Sequence, residues 1–248
     1  MKKILVVFSF VFTIGAFQSA SADTLAQWTF ESLAISPANT NSPSDGGIHG
    51  IAADVGTGTA SGLHSSPVTG QFSTPVGDGS TKSLSSSRWS VGDYYQFSLS
   101  TIGFSGLSVY YEQTSSATGP RDFNFSYSLD GTTFTQVGAN YIVLSNSVSA
   151  NNQSSGFATT AWSSASEQTA FGLSFDLSSI LALNNAPNVY FRITDASTTS
   201  DNGGTVATAG TDRVDNFIVS VVPEPTSIAL AALGGFSILG MSIFRKRK

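Results

Sequence analysis

The stretch Phe123-Asn-Phe-Ser-Tyr-Ser-Leu-Asp-Gly-Thr-Thr-Phe-Thr-Gln-Val-Gly138 decides the fold class. Phe123, Phe125, Tyr127 and Leu129 recur at every second position, the period at which a β-strand presents one face. Asp130-Gly131 then supplies a residue pair that turns tightly, because glycine adopts positive φ without steric cost. Phe134 and Val137 continue on the far side, so the whole stretch predicts an antiparallel hairpin.

Working outward, the same period appears in Phe171-Gly-Leu-Ser-Phe-Asp-Leu177, which places Phe171, Leu173, Phe175 and Leu177 on one face. Residues 25–30 (LAQWTF), 94–100 (YYQFSLS), 107–113 (LSVYYEQ), 189–194 (VYFRIT) and 214–222 (VDNFIVSVV) predict further strands. The best helical candidate is one short turn near Ile180. Residues 36–92 hold few large apolar side chains and many turn formers, and predict long loops joined by short strands. Many strands with frequent turn signals predict an all-β fold, an antiparallel β-sandwich of jelly-roll type. Its expected span is residues 23–221, about 200 residues and enough for one sizeable core.

Charge narrows the function. Residues 23–222 carry five cations against 15 acids, a formal charge of −10. Such a surface repels phosphate backbones, so no nucleic-acid partner is expected. The chain has no cysteine, which excludes disulfides, thiolate metal sites and a cysteine nucleophile.

The flanks are of a different kind. Residues 1–22 combine Lys2 and Lys3, an apolar run from Ile4 to Phe17, and small residues at Ala20 and Ala22. That order predicts a signal peptide cut by signal peptidase before Asp23. Ser227 to Phe244 is uncharged, and as a helix it would span about 27 Å, close to a hydrocarbon core. Arg245, Lys246, Arg247 and Lys248 follow as a cationic stop on the cytoplasmic side. Pro223-Glu224-Pro225 stands just before this span, and its two prolines favour an extended backbone suited to a protease cleft.

Pro-Glu-Pro, an apolar span and a basic cluster, in that order over residues 222–248, resemble the PEP-CTERM sorting signal. The arrangement is similar to the sortase signals of Gram-positive surface proteins. The resemblance implies a Gram-negative envelope, recognition by an exosortase, and removal of the tail near Pro223, Glu224 and Pro225. It also implies exopolysaccharide- and biofilm-forming hosts. An inner-membrane-anchored precursor, held by the C-terminal helix, would then become a cell-surface or extracellular-matrix protein. The middle of the chain resembles ectodomains that precede such tails. Its Arg213-Val-Asp-Asn-Phe-Ile-Val219 strand is similar to those of discoidin and carbohydrate-module jelly rolls.

Site candidates follow from residue chemistry. In jelly-roll modules an N-terminal carboxylate and a last-strand aspartate often hold calcium; the matching residues are Glu31 and Asp215, with Asp212 nearby. A structural calcium is therefore a candidate cofactor, the alternative being that Asp215 and Asn216 cap a turn. His49 and His64 fall in the loop-rich region, where solvated histidines are expected. The adjacent pairs Tyr94-Tyr95 and Tyr110-Tyr111 must each send one ring inward and one outward. Trp89, Tyr95 and Tyr111 are the candidate rings for stacking on sugars. No G-x-S-x-G, H-E-x-x-H, P-loop or G-x-G-x-x-G motif occurs, so no catalytic residue is assigned. The expectation is a non-enzymatic exported protein with polysaccharide as the candidate ligand. The alternatives are a tethered polysaccharide hydrolase and a surface adhesin.

Overall fold

The computed structural model describes residues 23–35, 39–40, 47–64, 71–146 and 161–223. The expected signal peptide with Ala20 and Ala22, Glu224, Pro225, the apolar span and Arg245 to Lys248 lie outside these residues. Among the described residues there is no α-helix, and no helix long and apolar enough to cross a membrane.

The strands are β1 (Asp23–Trp28), β2 (Asn39–Thr40), β3 (Gly47–Ala52), β4 (Val55–Gly56), β5 (Thr59–Leu63), β6 (Gln71–Ser73), β7 (Leu84–Ser87), β8 (Tyr94–Leu99), β9 (Phe104–Ser115), β10 (Asp122–Ser128), β11 (Thr135–Ile142), β12 (Leu144–Ser145), β13 (Gly172–Asp176), β14 (Val189–Asp195) and β15 (Thr211–Pro223). They form two sheets. The first runs β12-β9-β15-β7-β6-β2, with β13 also on β9, β1 also on β15, and β4 on β1. The second runs β11-β10-β14-β8-β5-β3. Among the described residues, every strand pairing is antiparallel except that of β12 with β9. The expected β-sandwich is what the chain adopts.

The hairpin read from residues 123–138 is present as β10 and β11, with Phe125 opposite Val137 and Gly131 at φ 73°. Phe123 and Phe125 are buried as expected, whereas Leu129 is exposed beside the turn. The centre of the sandwich is aromatic. Phe97 of the second sheet stacks on Phe217 of the first, centroids 3.5 Å apart and planes 4° from parallel. Trp28 meets both rings edge-on at 5.3 and 5.9 Å, and its Nε1 donates to the Ile51 carbonyl. Tyr111, Phe125, Phe175 and Phe191 extend this layer. Removing such a side chain from water stabilises the fold by about 1.5–3 kcal/mol each.

A bulge in β15 shapes the first sheet. Its register against β9 shifts between Asp215 and Ile218, and Asn216 has φ 47°. The extra residue lets Val214 and Phe217 both enter the core although they are three positions apart. Outside the main core, Trp162 and Phe171 pack together under Leu144.

Candidate functional site

Alternation in the second sheet builds an exposed polar face. Tyr95, Phe97 and Leu99 of β8 are buried, so Tyr94, Gln96 and Ser98 point the other way. In β14 the buried residues are Val189, Phe191 and Ile193, which turns Tyr190, Arg192 and Thr194 outward. Register sets Gln96 opposite Arg192 and Tyr94 opposite Thr194. Strand β5 adds Thr59 and Ser61 opposite Ser98 and Gln96, and Thr59 and Ser98 share a hydroxyl bond of 2.8 Å.

Arg192 is the organising residue of this face. Its Cζ lies 3.8 Å from the Tyr94 ring centroid and 3.7 Å from that of Phe134, so two rings hold the guanidinium between them. Its Nε donates to Gln96 Oε1 at 2.8 Å and its Nη2 to the Tyr94 hydroxyl at 3.1 Å. Burial draws the Arg192 pKa down, against the opposing influence of the Tyr94 hydroxyl. Phe134 reaches this position from the β10–β11 turn, and the turn's Gly131 sits directly against the Tyr190 ring. A depression of about 290 Å³, lined by Thr59, Ser98, Ser100, Asn188 and Tyr190, closes one end of the face. A second depression of about 230 Å³ lies beyond the Tyr94 end of the strands, between Trp89, Ser90, Asp195, Ser197, Thr198 and Thr205.

The stacking rings expected from sequence are placed differently. Tyr95 and Tyr111 are fully buried, the reverse of an outward ring. They share a face with Phe97 and Leu99 in one strand and with Leu107 and Val109 in the other, so the core claims them. The Tyr95 hydroxyl donates to the Asp212 carbonyl at 3.0 Å, and the Tyr111 hydroxyl bonds that of Tyr141 at 2.7 Å. Trp89 is also buried, against Tyr95 and Phe123, with Nε1 donating to the Ser86 carbonyl. Only its margin reaches the smaller depression. Their outward partners, Tyr94 and Tyr110, were recoverable from the period-two phase of neighbouring Phe97, Leu99 and Val109.

The candidate calcium ligands are divided between two faces, although Glu31 lies near enough to Asp215 to raise its pKa. Asp212 and Asp215, three apart on a strand, point to opposite faces. Asp212 is buried and accepts bonds from Gln113 Nε2 at 3.1 Å and Ser115 Oγ at 3.0 Å; burial pushes its pKa well up. Glu31 accepts from Thr81 Oγ1 and from the Lys82 N–H, while Lys82 Nζ sits on the Glu31 and Leu33 carbonyls at 2.9 and 2.8 Å. A cation is thus already fixed at that turn. Among the described residues, no group of three or more His, Asp or Glu could hold a metal ion.

Asp215 instead joins a buried carboxyl cluster beneath the 75–83 segment. It accepts from the Asp78 N–H at 3.1 Å and Ser80 Oγ at 2.5 Å, and burial lifts its pKa to about 7. Burial, with Asp215 and Asp78 nearby, lifts Glu112 to about 8, against the bond that Asn216 Nδ2 donates at 3.0 Å. Asp78 rises to about 6 through burial and the charge of Glu167.

His64 was expected in solvent but is buried. Its Nδ1 lies 3.0 Å from Asp93 Oδ2 and its Nε2 2.8 Å from Ser86 Oγ. The bonding order is that of a Ser-His-Asp relay, with all three residues no more than 1% exposed and Phe72 and Trp89 packed on the imidazole. A nucleophile needs an open side for its substrate. This array is enclosed and ties β7 to the segments that flank β8.

Pro223, from the expected sorting motif, is the last residue of β15 and pairs with Phe104. Asp23, at the expected leader cut, begins β1 and pairs with Val221.

Comparison with known proteins gave no match among curated proteins. Similar solved structures include the CBM22-1 xylan-binding domain of Paenibacillus barcinonensis Xyn10C (11% identity, 84% of this chain and 100% of that one, TM-score 0.39). Others are the CBM22-1–GH10 modules of Clostridium thermocellum Xyn10B complexed with xylohexaose (14%, 82% and 29%, TM-score 0.42) and the K1 cleaved adhesin domain of Lys-gingipain from Porphyromonas gingivalis (10%, 63% and 84%, TM-score 0.35). Residues 221–248 match the family described as the PEP-CTERM protein-sorting motif, so this β-sandwich chain carries an exosortase-type sorting signal joined directly to its last strand.

Proposed function

We propose that this exosortase-sorted surface protein binds polysaccharide through the outer face of its second sheet. The observation that carries this reading is the Tyr94–Arg192–Phe134 stack, set among the amide and hydroxyl groups of Gln96, Ser98, Thr59, Ser61 and Thr194. Sugars offer axial C–H faces to aromatic rings and hydroxyl groups to amides. A face holding both, with depressions at hand, supplies both kinds of contact along an extended polymer. In this reading the precursor is held in the inner membrane before processing, and the mature protein stays at the surface or in the matrix. No bond cleavage is involved.

Affinity electrophoresis of the exported protein through gels containing neutral and acidic polysaccharides tests the reading. Retardation is expected with at least one polymer, weakened about tenfold or more by Tyr190→Ala or Phe134→Ala, the effect of losing one aromatic anchor. Polymer length should be unchanged after incubation. Mobility identical in every gel would remove the proposal.

A further inference from the structure

We propose that Arg192 makes this face selective for carboxylated polysaccharides, an inference that rests on the polysaccharide reading above. The argument starts from charge. In a sandwich with 15 acids and five cations, a cation would ordinarily be neutralised by one of the acids. Arg121 follows that rule, bonding Asp122 through Nε and Nη2 at 3.0 Å each. Arg192 does not. Among the described residues it has no carboxylate within ion-pair distance, and both of its hydrogen bonds go to neutral oxygens.

The geometry shows what remains on offer. A guanidinium has five N–H donors in a plane. Gln96 takes the one on Nε and the Tyr94 hydroxyl takes one on Nη2. Nη1 keeps both of its donors and Nη2 keeps one, the part of the guanidinium fork left to bind a carboxylate. Rings on both sides and the Gln96 bond fix the plane, so little side-chain freedom is lost when a ligand docks. A partly desolvated positive charge without a counter-charge also gains more from an anion than a fully hydrated lysine would. Around the fork, Ser61, Ser98, Thr194 and Gln96 are hydroxyl and amide groups, suited to the uncharged remainder of a uronic acid unit. The neighbouring strand positions carry no acid: Gln96, Ser126, Tyr190 and Thr194 are all neutral.

The test uses the exported protein and three probes: polygalacturonate, the same polymer with its carboxyls methyl-esterified, and a neutral galactan. At about 0.15 M salt, where the domain's overall negative charge is screened beyond about 8 Å, binding to polygalacturonate is expected to exceed that to the ester and the galactan by about tenfold or more, the effect of one charge-assisted pair. Arg192→Gln should abolish the preference, so that this variant binds polygalacturonate no better than it binds the ester. Gln96→Glu, which sets a carboxylate against the guanidinium without removing it, should do the same and guards against misfolding of the first variant. Equal binding to the charged and esterified polymers would overturn carboxylate selectivity while leaving polysaccharide binding in place. Loss of binding to all three probes by the parent protein would overturn both.

Discussion

Raising the pH from 5 to 9 is predicted to loosen this fold. Glu112, Asp215 and Asp78 sit near 8, 7 and 6 in the native state, against ordinary values of 4.5, 3.8 and 3.8. Folding therefore takes up protons. The stability linked to these groups is fully present below about pH 4 and is lost as pH rises through 6 to 8. One pH unit of displacement corresponds to about 1.4 kcal/mol. The three carboxyls share protons, so their displacements do not add, and we take the loss as on the order of 3–5 kcal/mol. For a domain of this size each kcal/mol moves the midpoint by about 2–4 °C. Thermal melts at pH 5, 7 and 9 and constant ionic strength should thus show a fall of roughly 6–20 °C. Glu112→Gln, which keeps the shape and cannot ionise, should reduce that slope and leave the part carried by Asp215, Asp78 and Asp195, which burial also lifts to about 7. A midpoint equal or higher at pH 9 would refute the reasoning. So would recovery of the pH 9 midpoint by millimolar calcium, which would make the cluster an ion site.

Other expectations follow from packing and processing. Phe217→Ala removes a fully buried ring stacked on Phe97 and met by Trp28, and should cost about 3–5 kcal/mol in denaturant unfolding. Gly56→Ala should destabilise by more than about 1 kcal/mol, because φ is +72° and the added methyl would sit 1.9 Å from the Leu25 carbonyl oxygen. Below pH 4 a separate loss is expected as Asp54 protonates: burial raises its pKa, but bonds from Ser32, Thr29 and Phe30 hold it below the ordinary value. Replacing Pro223 and Pro225 by alanine should leave the exported protein at higher mass than the parent, read by intact-mass spectrometry. Equal masses would show that the prolines do not mark the processing site.

The sandwich was legible because apolar residues recur at alternate positions in β8, β9, β10 and β14. The site was harder to read. No sequence signal singles out Arg192 among the five cations of residues 23–222, since its two rings arrive from β8 and from a turn some 60 residues earlier, a meeting created by the register of β8, β14 and β10. The tyrosine pairs announced that one ring faces out, but the assignment of which went wrong because the pair was read apart from Phe97 and Val109. The bulge at Asn216 hid the carboxyl cluster in the same way. Asp215 belongs to the face opposite Asp212, and its partners Asp78 and Glu112 come from distant segments. His64 was misjudged because residues 47–63, read as mostly loop, in fact hold β3 and β5, which bring it against β7.

Strand β1 lies against β15 with Asp23 opposite Val221, so the first and last strands of the sandwich bring their outer ends to one corner of the body. Cross-strand neighbours are only about 5 Å apart. A molecule leashed through either flank would stand on the same foot, and severing one leash would leave its posture unchanged.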